Sequence, residues 1–379
     1  MKRSAKHRRR WPDCGAFFVF AFLAFVAWSP PAHSGGASFD DATNKEFEQA
    51  VALRTSGKLD EAEKVLEHIM KSSMRNDEVG IANVIKERGT IKFLQERWES
   101  AARYLGICYE IDSNDADTLE MLGKSLRMIG RYQEAETVYE RAAYLDPDRF
   151  EVLDGLQNIH RRLGDNYQES DRPEQAEAEF GKALDIVAQM TKLSEGKSEE
   201  HLRVSKFAKA KIFYEKKSYS EAVDAYASLV SSYPDFRPAQ EEQAALALDY
   251  AKDKGSPAQL QAALDQYRAL YKSAKSTKEL AYSGAGFAEA AGRTKDLPAD
   301  TLAEAEQAAR TALLDANPND PYPHYASAVL MYAIDAKDDA TSRLKEAIKL
   351  ERKRAADPYQ NDYARLVEYE KLMQAWTGN

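Results

Sequence analysis

The stretch "LGKSLRMIGRYQEAETVYERAAYLDP", Leu122 to Pro147, sets small residues (Gly123, Gly130, Ala135, Ala142) at fixed distances from bulky ones (Leu126, Tyr132, Tyr139). Ala135, Tyr139 and Ala142 have the i, i+4, i+7 spacing of one helical face, and Gly130 ahead of them is a helix stop. Such spacing is either a site or a packing device, and the rest of the chain decides which.

The triplet recurs. It stands at Ala62/Leu66/Ile69, Ala101/Leu105/Cys108, Ala176/Phe180/Ala183 and Ala222/Tyr226/Leu229, then at Ala263/Tyr267/Leu270, Ala305/Ala309/Ala312 and Ala340/Leu344/Ala347. The leading alanines are 39, 34, 41, 46, 41, 42 and 35 residues apart, a period near 34 with insertions. A period in this range marks stacked supersecondary units. "GKLDEA" (Gly57 to Ala62) and "GRYQEA" (Gly130 to Ala135) are one hexamer, a helix stop followed at once by a new helix. Pro147, Pro234 and Pro318 fall 12, 12 and 13 residues beyond their alanines, where one unit ends and the next begins. Two antiparallel helices per unit are expected, with the small residues serving their close approach.

With Leu122-Gly123, Leu126, Gly130, Tyr132, Ala135, Tyr139, Ala142 and Pro147 in one unit, and "LGDNY" (Leu163 to Tyr167) in the next, the pattern resembles the tetratricopeptide repeat. It departs from that pattern toward the ends: Glu46 and Gln49 stand at apolar places, Lys92 at an aromatic one, and Ala309 at a bulky one. The resemblance implies an all-α, right-handed α-solenoid of about eight helix hairpins. At the C-terminus Tyr363, Leu366, Tyr369, Leu372 and Trp376 form one apolar stripe, which reads as a helix capping the last hydrophobic face. Two sub-arrays of about four units each are expected, over 35–190 and 202–355, with 191–201 as a joint and 356–379 as the cap.

The N-terminus reads differently. "MKRSAKHRRR" is basic, Ala16 to Trp28 is an apolar run, and "SPPAHSGGAS" supplies helix breakers and small residues. This is the order of a secretory signal peptide over 1–34. As a helix the run would span about 20 Å, short of a roughly 30 Å hydrocarbon core. Export to the periplasm of a Gram-negative bacterium is expected, with no stable membrane insertion after cleavage; the alternative is an inner-membrane anchor over 16–28 with the repeats in the periplasm. Cleavage after Ser34 would leave 47 Lys and Arg against 61 Asp and Glu, a net charge of −14. That charge carries no gross attraction for nucleic acid or anionic membrane. Cys14 precedes the apolar run, and Cys108 in a triplet reads as a buried core residue.

Motifs for chemistry are missing from the sequence. The six histidines form no HxxxH or HExxH, and no cysteine pair exists to complete a zinc site. There is no GxSxG and no Walker-type phosphate loop, and "SGAGFAEAAG" (Ser283 to Gly292) follows no strand, so Gly284 reads as a packing glycine. "DANPNDPYPHYA" (Asp315 to Ala326) begins like a calcium loop but has Asp320 in place of Gly and Ala326 in place of Glu. No cofactor, metal or catalytic residue is expected.

In tetratricopeptide arrays the first helix of each unit lines a concave groove, and the resemblance implies that peptides or helices dock there. On that geometry the groove-facing residues would be Asp117, Glu120, Lys124, Arg127 and Met128, then Asn158, Arg161 and Asp165, then Phe207, Lys211 and Tyr214. Lys124, Arg127, Arg161 and Lys211 would make a basic stripe inside an acidic protein, with Phe207 and Tyr214 as anchors for an acidic or aromatic segment of a protein partner. The plainer reading is an ordinary solvated helix face. A second basic stretch, Lys206 to Lys217, overlaps this stripe. Met121 stands where the family's carboxylate clamp needs Asn. The expected function is a non-catalytic interaction scaffold of the cell envelope; the alternative is an envelope enzyme, or a small-ligand or glycan carrier with its pocket in the groove.

Overall fold

The computed structural model describes residues 39–73, 78–355 and 364–378; the expected signal segment lies outside them. The described residues form seventeen α-helices. Eight hairpins run in chain order: α1 (Asp41–Thr55) with α2 (Leu59–Ser73), α3 (Glu78–Leu94) with α4 (Trp98–Ile111), α5 (Ala116–Met128) with α6 (Tyr132–Leu145), and α7 (Phe150–Glu169) with α8 (Pro173–Ser194). Then follow α9 (Glu199–Glu215) with α10 (Tyr219–Ser232), α11 (Arg237–Lys254) with α12 (Pro257–Lys272), α13 (Thr277–Arg293) with α14 (Ala299–Asp315), and α15 (Tyr322–Ala333) with α16 (Lys337–Ala355). The last helix, α17 (Ala364–Thr377), has no second partner of its own. The chain is an all-α solenoid of pairwise-packed, tetratricopeptide-like hairpins.

All the triplet residues lie on even-numbered helices and all are buried. The core they build is a row of clusters that hand over from one hairpin to the next, from Phe39–Ile91 at one end to Tyr325–Tyr369 at the other. Each unit therefore buries its apolar face only against its neighbours, the arrangement that gives a solenoid its nearest-neighbour stability.

The turn inside each hairpin has one shape in six units. Five residues ahead of the leading alanine stands a residue with positive φ: Gly57, Glu96, Gly130, Asp171, Lys217 and Asp335. The next amide donates to a carbonyl five residues back, as Lys58 does to Leu53 and Arg131 to Leu126. This is the Schellman closure of a helix C-terminus. In the sixth and seventh units the left-handed residues, Gly255 and Asp296, stand farther ahead of the alanine, in longer turns.

Departures from the repeat pattern have local causes. Lys92, at an aromatic place, is 7% exposed and donates to Glu63 at 2.6 Å, which neutralises it. Ala309 replaces a bulky residue because α13 and α14 meet at backbone distance: a Cβ at Gly284 would lie 2.8 Å from the Ala308 carbonyl oxygen. On α1, Phe47, Ala50 and Leu53 turn inward, so Gln49 is exposed. Cys108 is buried, and burial pushes its thiol up to about 11. Segment 191–201 is shared between the last turn of α8, a turn over 195–198 and the first turn of α9. No helix among the described residues is long and apolar enough to cross a membrane.

On α17, Tyr369 stacks on Tyr325 at 4.3 Å and Trp376 on Tyr332 at 4.1 Å. Leu366 and Leu372 pack into the same cluster, and Tyr363 of the expected stripe lies outside the described residues.

Candidate functional site

Successive odd-numbered helices touch one another along the array, while the even-numbered ones make no comparable contacts among themselves. Odd helices packed side by side, with even ones splayed behind them, make the odd helices the inner wall of the curve. The groove is theirs.

A charged or hydroxyl contact crosses every seam of that wall. Arg54 of α1 pairs with Glu87 of α3, and Lys86 of α3 with Asp115 at the cap of α5. Arg149 reaches back from the cap of α7 to Asp117 at 2.6 Å and Glu120 at 2.7 Å. Arg161 of α7 pairs with Glu215 of α9, and Lys211 of α9 with Glu242 of α11. Lys252 of α11 lies 3.6 Å from Glu289 of α13, which accepts a 3.0 Å bond from Tyr322 of α15. Tyr325 of α15 donates to Glu368 of α17 at 2.7 Å. Burial alone would raise the Asp115 carboxyl, but Lys86 and Thr118 outweigh it and hold it below its ordinary value. At Glu120 burial wins over Arg149, and the carboxyl is raised.

This ladder changes the expected basic stripe. Arg161 is 5% exposed and tied to Glu215 and to Asn158, so it is a seam residue rather than an open cation. Asn158 itself donates to the Asp154 carbonyl. Lys211 is neutralised by Glu242. Arg127 is half-buried beside Tyr139, with its Nε buried and lacking an acceptor. Of the expected partner-binding residues in the first half of the groove, Lys124, exposed with its ammonium 5.2 Å from the Phe93 ring centre, and Met128, 47% exposed, stand open. Phe207 packs edge-on against Tyr226 and Phe236.

Tyr214 leads to a feature that the sequence reading missed. In the second half the odd helices α9 to α17, with Tyr267 of α12 and Leu350 of α16, line an open cavity of about 770 Å³. Its aromatic wall is Tyr214, Tyr267, Tyr282, Tyr322, Tyr325 and Tyr369. A polar network lines the cavity with these rings. Lys252 sits 3.2 Å from Glu368 and 3.4 Å from Asp249; Arg293 bonds Glu289 at 3.0 Å and the Tyr325 hydroxyl at 2.6 Å; Tyr214 donates to Asp249 at 2.5 Å. Burial would lower the Lys252 ammonium, but Glu289, Asp249 and Glu368 outweigh it and raise it. Burial and nearby carboxylates hold the Tyr214 and Tyr322 hydroxyls well above their ordinary range, so they act as neutral donors. Asn317, Asn319 and Asp320 form the rim. They belong to the turn between α14 and α15, where the Asn317 side chain accepts from the Asn319 amide and the Asp320 side chain from that of Tyr322. The Tyr214, Tyr322 and Tyr325 hydroxyls are each fixed by a partner brought from another unit, and a single stretch of sequence shows no such pairing.

Residues 116–149, spanning α5 and α6, match the tetratricopeptide repeat family model, and so do residues 205–235, spanning most of α9 and α10. No curated protein matches the chain in sequence. Among solved structures, a tetratricopeptide repeat protein from Parabacteroides merdae is 14% identical with a TM-score of 0.49, over 89% of this chain and 99% of that one. A thermophilic tetratricopeptide repeat protein from Thermus thermophilus is 14% identical with a TM-score of 0.37, over 54% and 99%. YrrB, described as a tetratricopeptide repeat protein with an unusual peptide-binding site, is 15% identical with a TM-score of 0.41, over 53% and 94%. The units at 116–149 and 205–235 are therefore tetratricopeptide repeats, within an array whose other hairpins bury the same triplet.

Proposed function

We propose that the protein is a non-catalytic scaffold that holds a segment of a protein partner in its concave groove, with the tyrosine-lined cavity as the anchoring pocket. The observation that carries this reading is the cavity itself. Its tyrosines are amphipathic, and Tyr214, Tyr322 and Tyr325 are already fixed by hydrogen bonds, so these three lose little conformational freedom when a partner side chain enters. Lys124 and Met128 would meet the same segment farther along the groove. In the cavity Lys252 and Arg293 are neutralised by Asp249, Glu289 and Glu368, which favours recognition there by shape, ring contact and hydrogen bonding over recognition by net charge. The basic cluster, apolar run and small residues of 1–34 support export, and with it work in the cell envelope.

A photo-crosslinking residue at position 282 of the full-length chain, expressed in its own host, tests this. Tyr282 is 38% exposed and lines the cavity. One reproducible partner, crosslinked through one segment at position 282 but not at position 182 on α8, is the expected result. Equal capture at both positions overturns the groove reading, and turnover of glycan or peptide by the purified protein overturns the non-catalytic one. An intact Met1 on the recovered chain, together with only cytosolic partners, overturns export.

A further inference from the structure

The groove uses one of the four cations on α9, Lys211. At about 100° per residue, Lys211 and Tyr214 point to one side, where they bond Glu242 and Asp249. Lys206, Lys209 and Phe213 fall on the far side in the i, i+3, i+4 order of a single stripe, with Arg203 at its edge toward Tyr214 and Lys217 following in the left-handed turn after the helix. Here aromatic rings take the place of acids. The Arg203 guanidinium lies 4.8 Å from the centre of the Phe236 ring, and the Lys206 and Lys209 ammonium groups lie 5.9 Å from Tyr233 and Phe213. The buried Nε of Arg203 has no acceptor. Among the described residues no carboxylate comes within ion-pair distance of Arg203, Lys206, Lys209 or Lys217, whereas Lys211 and Lys216 each have one. A ring face holds a cation without neutralising it, so the charge is still there for a partner.

The chain as a whole carries −9, so this stripe is a local reversal of the field. From Arg203 to Phe213 it runs about 15 Å at 1.5 Å per residue, with Lys217 in the turn beyond. That length fits one short peptide segment. A nucleic acid or an anionic bilayer would extend past the stripe onto an acidic surface that repels it.

We propose that this outer face of α9, with Tyr233 and Phe236 from the turn before α11, is a second docking surface that takes a protein segment rich in Asp and Glu with interspersed aromatic residues. The acids meet the four cations, and the partner's rings meet Phe213 and Tyr233, both half-buried. This surface does not depend on the groove. Because the two faces of α9 point apart, the scaffold holds two partners at once.

The test is fluorescence anisotropy of a labelled peptide of repeated Glu-Glu-Tyr against the full-length chain. The peptide should bind, bind more weakly as salt rises, and lose about tenfold in affinity or more with Lys206→Glu and Lys209→Glu together. Tyr282→Ala, in the groove cavity, should leave that affinity unchanged. A double variant that melts like the wild type and binds the peptide equally well overturns the proposal. So does absence of peptide binding, or tighter binding of an oligodeoxythymidine or of phosphatidylserine vesicles. Each of these failures leaves the crosslinking result at position 282 standing.

Discussion

Gly155→Ala and Gly106→Ala make the same chemical change in two helix interiors, and they should move stability in opposite directions. In either helix alanine gains roughly 1 kcal/mol of intrinsic propensity over glycine. At Gly106 on α4 a Cβ meets nothing within 4 Å, so the gain stands. At Gly155 on α7 the Cβ would sit 2.3 Å from Cζ of Tyr139, with two further ring atoms at 2.6 and 2.7 Å. The ring has nowhere to go. Tyr139 is 2% exposed, and Gly123 closes its other side, where a Cβ would lie 2.9 Å from the same ring. Overpacking of this severity belongs at the upper end of its usual range, about 3 kcal/mol, which leaves a net loss of about 2 kcal/mol. Urea unfolding followed by far-ultraviolet circular dichroism should show the midpoint rising for Gly106→Ala and falling for Gly155→Ala, with the slope unchanged. Combining Gly155→Ala with Tyr139→Leu should cost less than the two single changes added together, because the smaller side chain vacates the contact. A Gly155→Ala midpoint at or above that of the wild type would refute the claim that these glycines are there to admit a ring.

Two further outcomes follow from the turns and the tyrosines. Glu96 holds the left-handed turn position at φ 56°, so Glu96→Gly should raise stability by about 0.5–1 kcal/mol, read as a higher urea midpoint. Burial and neighbouring carboxylates raise Tyr214, Tyr322 and Tyr325 above their ordinary value of 10.0, so the unfolded chain releases protons that the native one keeps. Stability is then complete below pH 10.0 and falls as pH rises past it, and phenolate absorbance should appear together with loss of helix; smooth titration of these tyrosines with the helices intact would contradict their burial.

The fold was legible because a solenoid writes its packing locally. Ala135, Tyr139 and Ala142 share one helix face, and the partners that bury them come from the same hairpin or the next. The triplet therefore carries its meaning within a few tens of residues, and its recurrence does the work of long-range information. What the triplet does not carry is turn chemistry. Only Gly57 and Gly130 announce the left-handed position; Glu96, Asp171, Lys217 and Asp335 adopt it with side chains that carry weaker or no such signal. Packing of the flanking helices imposes the conformation there, so propensity alone does not reveal it.

The groove was legible in position and not in charge. Which helix of each pair faces inward follows from the repeat, but whether a lysine on that helix is open depends on the next odd helix, and that is set by register. Lys211 and Glu242 are 31 residues apart and Arg161 and Glu215 are 54 apart, separations that vary with the length of the intervening even helix and its turns. The longer α7–α8 hairpin lies between Arg161 and its partner. A cation on the inner wall therefore reads as free in sequence and is consumed in the fold. The same reasoning run in reverse explains α9: a residue whose neighbour is a ring rather than an acid keeps its charge wherever it points. Net charge along a helix is thus a poor guide to where a repeat protein presents charge. The better guide is the count of acids that the two flanking units can bring within reach, and for α9 that count is full on the groove side and empty among Arg203, Lys206, Lys209 and Lys217.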